Sequence, residues 1–138
     1  MIYFLSLNEV LEIHEDQLLQ YGGAHGIRNQ ELLLSALAQP PSQFAGQYLH
    51  KDLFEMGSAY LYHLCQNHPF VDGNKRTALA SALMFLLSND IEIEIDNDLE
   101  ADMVMEVASG KMLKKDVADW FRQYKRSATK VWRQNKQQ

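Results

Sequence analysis

The residues best suited to chemistry lie together between His68 and Arg76, in the order His-Pro-Phe-Val-Asp-Gly-Asn-Lys-Arg. We expect a helix to begin near Gly73, and a helix N-terminus offers unpaired backbone N–H groups and partial positive charge to an anion. Gly73 lets the backbone approach a ligand closely, Asn74 adds an amide donor, and Lys75 and Arg76 add positive charge. Features that bind phosphate therefore occupy four consecutive residues.

His68 and Asp72 could supply the reactive groups beside this phosphate site. An unperturbed histidine has a pKa of about 6.5, so a histidine at position 68 can act as a general base on an incoming hydroxyl. Asp72 has two interpretations: an N-cap that bonds the first turn of the helix, or a Mg²⁺ ligand. The second suits Mg²⁺, which takes one or two carboxylates together with substrate phosphates. Phe70 is expected to be a hydrophobic peg that holds the loop against the core.

Other candidate groups carry weaker signals. His63, Cys65 and His68 do not fall on one helix face, so their spacing does not predict a metal site. The acidic run from Asp96 to Glu100 lacks the glycine and the distal glutamate of a calcium-binding loop, and it is expected to cap a helix. No constellation surrounds the remaining histidines, which are His14, His25 and His50.

Helical periodicity dominates the chain and predicts an all-α fold of about six helices. Ser6 and Glu9 form a capping box at the first helix, and Pro40 ends the second. The helix that begins near Gly73 is apolar nearly all round, so we expect it to be the hydrophobic central helix. The expected helices span residues 7–21, 29–38, 51–67, 73–86, 98–108 and 113–131.

Two segments between helices have open interpretations. Residues 39–50, which include Phe44 and Tyr48, are either an ordinary connection or a flap over an active site. Residues 91–95 alternate in polarity like a strand but have no obvious pairing partner. We therefore expect an extended segment or a lone edge there.

Length and composition suit a single domain over residues 1–138. A single cysteine, Cys65, excludes an internal disulfide, and the apolar start has neither a basic flank nor a cleavage site. No apolar run reaches the roughly 18 residues that a membrane span needs. These features predict a cytoplasmic protein.

Charge is divided unevenly along the chain. Residues 111–138 hold nine of the 13 Lys and Arg and two acids, a net charge of +7, whereas the first 110 residues carry −12. The basic tail is either a solvated, amphipathic last helix or a patch for nucleic acid or an acidic partner. The acidic body argues against direct nucleic-acid binding, because phosphate contacts dominate that affinity.

Between His68 and Arg76 the chain resembles the Fic/Doc family, whose signature is H-P-F-x-[DE]-G-N-G-R-x-x-R. Residues His68 to Arg76 match each specified position except the second glycine, where Lys75 stands. Residues 5–10, 26–38 and 74–79 further resemble the death-on-curing branch, so the similarity covers most of residues 4–125. The resemblance implies the all-α Fic/Doc fold, in agreement with the helical periodicity.

Two departures from the general signature bear on the reaction. Lys75 and Leu79 stand where nucleotidyl-transferring members have a glycine and an arginine that admit and clamp the outer phosphates. In the death-on-curing branch such residues imply that ATP lies reversed and that its γ-phosphate is transferred. Gly73 points the other way, because some members of that branch carry alanine there. A Ser/Thr kinase is therefore favoured over an adenylyltransferase, and both remain open.

The resemblance also assigns roles to these residues. It implies that His68 takes the proton of a target hydroxyl and that Asp72 holds Mg²⁺ against ATP. The residues implied to bind the nucleotide phosphates are Gly73, Asn74, Lys75 and Arg76. A toxin of this kind would modify a translation factor such as elongation factor Tu, and a Phd-like antitoxin would neutralise it by folding on binding. The rival interpretation is a module that binds a partner without catalysis.

Overall fold

The computed structural model describes residues 1–127, and within them the fold is all-α with six helices, as predicted. None of these helices is long and apolar enough to cross a membrane. The residues from 128 onward, which hold the end of the predicted last helix and much of the basic tail, lie outside this range. The elements are α1 (Leu7–Tyr21), α2 (Gln30–Ala38), β1 (Gln43–Phe44), β2 (Gln47–Tyr48), α3 (Leu53–Asn67), α4 (Asn74–Ser88), α5 (Asn97–Ala108) and α6 (Lys114–Tyr124).

Local sequence signals set most of the helix starts. The capping box is present at α1, where the Ser6 hydroxyl accepts from the Glu9 N–H at 3.2 Å and the Glu9 carboxylate accepts from the Ser6 N–H at 2.9 Å. Asn29, Asp52 and Asp96 cap α2, α3 and α5 through the side chain alone, each accepting from a backbone N–H of the first turn. The expectation that the acidic run at 96–100 caps a helix is thereby confirmed.

The centre of the fold is α3, and the expectation that the helix after Gly73 would be central is corrected. Helix α3 packs against α2, α4, α5 and α6. Its Gly57 lets α4 approach closely, since a Cβ there would lie 3.0 Å from Leu86 Cγ. Helix α4 packs against α1, α3 and α5, but its Met84 and Leu87 are about half exposed (44% and 54%). The apolar residues of α4 are therefore only partly buried in the core.

Residues 39–50 contain a small hairpin that the sequence did not predict. Gln43 pairs with Tyr48 and Phe44 with Gln47, across a two-residue turn with φ of 53° at Ala45 and 79° at Gly46. Positive φ at both turn residues suits the twist of paired strands. The Phe44 side chain is exposed.

The extended segment at residues 91–95 does have a partner, which is the chain after α6. Ile93 forms an antiparallel bridge with Lys125, and the Glu94 N–H donates to the Tyr124 carbonyl at 2.8 Å. This pairing explains why α6 ends at Tyr124 rather than continuing towards 131, because Lys125 is already in an extended conformation. Arg122, in the described part of the basic segment, is ion-paired with acidic side chains that include Asp52, at 2.8 Å.

A polar cluster joins the hairpin region to α3 and α6, and it corrects the expectation that His50 stands alone. Lys114 Nζ lies 3.1 Å from His50 Nε2 and 3.2 Å from His63 Nε2. Lysine can only donate, so both imidazoles accept through an unprotonated Nε2. Burial, with the nearby charge of Lys114, lowers the pKa of His63 to about 4 and shifts the pKa of His50 in the same direction.

We expect this cluster to make the protein less stable in mild acid. As pH falls from 6.5 towards 4, His63 of the unfolded chain takes a proton before that of the folded chain, so the free energy of unfolding decreases. Above this window the contribution of His63 is fully present. Urea denaturation between pH 4 and 7.5 measures the slope. His63→Gln, which can accept from Lys114 but does not titrate, should show a smaller decrease, and equal slopes in both proteins would contradict the cluster's role.

Candidate active site

The segment from His68 to Gly73 forms the loop between α3 and α4, and it begins where α3 is forced to end. His68 adopts a left-handed conformation with φ 49° and ψ 54°, and its side chain is exposed. The Arg28 guanidinium donates to the carbonyls of Asn67 at 2.9 Å and His68 at 2.6 Å. A cation on the last carbonyls of a helix offsets their partial negative charge. Arg28 therefore fixes the place from which His68 projects.

The middle of the loop is held by Phe70, which is fully buried as the predicted peg. Its ring stacks on the His14 ring with centroids 3.8 Å apart and planes 9° from parallel. His14 Nε2 also lies 2.8 Å from the Asp72 carbonyl oxygen. His14 thus belongs to the site, contrary to the expectation that it has no constellation around it.

The Asn74 side chain is buried and closes the loop. Its Oδ1 accepts from the Phe70 N–H at 2.9 Å, and its Nδ2 donates to the Phe70 carbonyl at 3.0 Å. Both ends of the amide are therefore occupied, and the side chain is not aimed at a ligand as the sequence suggested. What Asn74 retains as a phosphate-binding group is its backbone N–H, at the first position of α4.

The N-terminus of α4 has no side-chain cap. Gly73 occupies the cap position with φ 77°, and a Cβ there would lie 3.2 Å from Leu18 Cδ2. Asp72 does not cap the helix, which corrects one of its two interpretations. Its carboxylate instead accepts from the Ala24 N–H at 3.1 Å and the Gly73 N–H at 2.9 Å. These two hydrogen bonds lower the pKa of Asp72, whose side chain is exposed and charged at neutral pH.

Lys75 and Arg76 add full positive charge at this uncapped helix end. Both are exposed, and neither forms an ion pair with a carboxylate among residues 1–127. The Arg76 guanidinium rests over the Tyr21 ring, with Cζ 4.3 Å from the ring centroid. An aromatic face orients a cation without neutralising it. The charges at the start of α4 therefore remain available to an anionic ligand.

All the predicted site residues line one open cleft of about 850 Å³ between the ends of α1, α4 and α5. One wall is apolar, and on α4 it includes Leu79 and Leu83. Asp98 and Glu100 at the start of α5 also line the cleft, and burial raises the pKa of Glu100. No hairpin residue lines the cleft, so the flap interpretation of residues 39–50 gains no support. Within the described part of the chain no three His, Cys, Asp or Glu side chains are grouped to hold a metal ion.

Sequence reasoning missed three residues that support the site, namely His14, Tyr21 and Arg28. His14 and Tyr21 are seven residues apart on α1, so they share the helix face that meets the loop. That spacing was a usable signal. Arg28 gave none, since its partners are backbone carbonyls whose position depends on the fold.

Comparison with known proteins adds relatives with established names. The sequence model of the Fic/DOC family matches residues 4–86. The chain is 32% identical over 124 residues to the protein kinase doc of Escherichia phage P1, covering 90% of this chain and 97% of that protein. It is 37% identical over 93 residues to the toxin Doc of Mycolicibacterium smegmatis, covering 66% of this chain and 72% of that protein.

The occupied amide predicts a structural role for Asn74 that Lys75 lacks. Asn74→Ala leaves the buried N–H and carbonyl of Phe70 without partners, and each costs about 1–3 kcal/mol. We expect a loss of at least about 2 kcal/mol in the free energy of unfolding, measured by urea denaturation. Lys75→Ala, at an exposed neighbour, should change it by less than about 0.5 kcal/mol. Equal effects of the two substitutions would contradict this assignment.

Proposed function

The chain belongs to the Fic/Doc family, and from that premise we propose that it is a Doc-type toxin enzyme. It transfers a phosphate-containing group from ATP to a hydroxyl of a target protein. The observation that carries the proposal is the convergence of an uncapped helix N-terminus, two unneutralised cations and an exposed histidine on one cleft. An uncapped helix end with adjacent positive charge is a ready phosphate site.

The residues of the loop divide the chemistry between them. The backbone N–H groups at the start of α4, beginning with Asn74, and the side chains of Lys75 and Arg76 hold the phosphates and stabilise the charge that builds on the transferred group. The Gly73 N–H is already bonded to Asp72 Oδ1, so Gly73 contributes by letting the phosphates approach the backbone closely. His68 accepts the proton of the target hydroxyl as its oxygen bonds to phosphorus. In phosphorylation the bond from the γ-phosphorus to the bridging oxygen breaks, and ADP leaves.

The Asp72 carboxylate is suited to Mg²⁺. It is exposed and ionised, and its two backbone donors fix it beside the phosphate-binding helix end. One carboxylate is enough when the nucleotide supplies further oxygen ligands, as Mg²⁺ commonly requires. When bound there, Mg²⁺ would neutralise phosphate charge. Asp72 would hold the ion, and its carboxylate is kept in place by the Ala24 and Gly73 N–H groups.

Phosphorylation is favoured over nucleotidyl transfer. Lys75 fills space at the helix end, and Leu79 on the cleft wall offers no contact to phosphate, where Fic-type nucleotidyl transferases have a glycine and an arginine. The name of the phage P1 relative, a protein kinase, points the same way. Gly73 keeps nucleotidyl (AMP) transfer as the second candidate reaction.

The family relation also supports proposals about partners. We expect a cytoplasmic toxin–antitoxin pair in which a Phd-like antitoxin neutralises this chain, and a target such as the translation factor elongation factor Tu. The alternative to an enzyme is a module that binds a partner without catalysis. The complete set of His68, Asp72 and Arg76 around the cleft is the observation against it.

Labelled ATP tests the reaction directly. We expect label from the γ-phosphate, and none from the α-phosphate, to appear on a protein of a cell extract in the presence of Mg²⁺. His68→Ala should reduce transfer by about 10²–10⁴-fold, the usual contribution of a general base, without lowering the melting temperature. His25→Ala is the matched control, since His25 is an exposed histidine outside the cleft.

The alternatives give different labels. Transfer of α-label would establish nucleotidylation in place of phosphorylation. No transfer of either label above that of the extract alone would overturn the enzyme proposal in favour of a binding module. Equal transfer above that background by the His68→Ala variant would overturn the assignment of His68 as the general base.

A further inference from the structure

We propose that His14 is a positioning residue for the reaction, because it locks the peptide between Asp72 and Gly73 in the orientation that serves the phosphate site. The inference rests on the proposed function and extends the site beyond the signature loop to α1. It concerns a side chain that lies behind the loop and outside the cleft lining.

His14 is a polar residue placed where an apolar one would be expected. The other buried side chains of α1 are Val10 and Leu18, each four residues away on the same face. His14 is 3% exposed, and burying a polar ring without a hydrogen bond would be costly. Its Nε2 meets the Asp72 carbonyl at 2.8 Å, and since a carbonyl can only accept, this nitrogen carries the proton.

Packing alone does not explain the choice of histidine. The stack on Phe70, with centroids 3.8 Å apart, could be made by a phenylalanine at position 14. The hydrogen bond to Asp72 could not. The imidazole also lies close to Gly73, since a Cβ added there would be 3.7 Å from His14 Nε2.

The hydrogen-bonded carbonyl belongs to the peptide that enters the cap position of α4. A peptide unit is planar, so fixing the Asp72 oxygen also fixes the direction of the Gly73 N–H on the opposite edge. That N–H donates to Asp72 Oδ1 at 2.9 Å. Glycine at φ 77° would tolerate several orientations of this peptide. His14 therefore selects one orientation, in which the carboxylate is held and the helix end faces the cleft.

Two substitutions separate the hydrogen bond from the packing. His14→Phe keeps an aromatic ring against Phe70 but removes the donor, whereas His14→Gln restores an N–H donor at similar reach. Three quantities are measured: γ-label transfer, calorimetric binding of a non-hydrolysable ATP analogue with Mg²⁺, and the melting temperature. His25→Phe is the control at an exposed histidine.

We expect His14→Phe to weaken binding of the Mg²⁺–analogue complex and to slow transfer by about 10–100-fold, as for residues that orient a metal ligand. The melting temperature should stay close to that of the original chain. His14→Gln should recover a large part of both losses, and His25→Phe should change neither.

Each result bears on one proposal or the other. Absence of transfer by the unaltered chain would overturn the proposed function, and this inference with it. Transfer by the unaltered chain together with equal binding and transfer by His14→Phe would overturn this inference alone. Losses that follow the melting temperature and that His14→Gln does not recover would also overturn it, because they indicate a purely structural role. If His14→Phe does not fold, His14→Gln is compared with the original chain: near-original analogue binding supports the inference, and lost binding at an unchanged melting temperature would overturn it.

Discussion

Two hydrogen bonds made by one buried amide, that of Asn74, set the course of the loop on which the site depends. They tie both backbone polar groups of Phe70 to the first residue of α4, at 2.9 and 3.0 Å. The chain between them must then arch outward, which places Asp72 and Gly73 at the mouth of the cleft. The arch can keep its shape because its ends are anchored, by Arg28 on the α3 carbonyls and by the close packing of α4 on α3.

The arrangement leaves the start of α4 electrostatically unsatisfied. Its N-cap is Gly73, which offers no side-chain acceptor and costs a few tenths of a kcal/mol relative to a capping side chain. Its two cations have no carboxylate partner among the described residues. Asp72, the acid that precedes the helix end, is turned to backbone donors. Burial of one side of α4 against α3 supplies the stability that the helix end lacks. An anion bound at this end would satisfy the groups that the fold leaves open, which connects the local instability to phosphate binding.

What the sequence could predict depended on how local the controlling interaction was. The bounds of α1 follow from Ser6 and Gly22, because caps act within one turn, and the loop residues were identified because they are adjacent. The Asn74 side chain was expected to bind a ligand, because nothing in the sequence indicates that its amide turns inward to Phe70. His14 was missed because its partner lies 58 residues away. The hairpin was missed because Ala45 occupies a left-handed turn position, where glycine, asparagine or aspartate would have predicted the turn.

Nuclear magnetic resonance provides the most direct test that the uncapped start of α4 is a phosphate site. The backbone amide signals of residues 74–76 would be followed while a non-hydrolysable ATP analogue is added with Mg²⁺. We expect these amides to shift together and to saturate, because their N–H groups take on the phosphate oxygens as acceptors. Saturating shifts elsewhere on the chain, with these amides unmoved, would contradict the account.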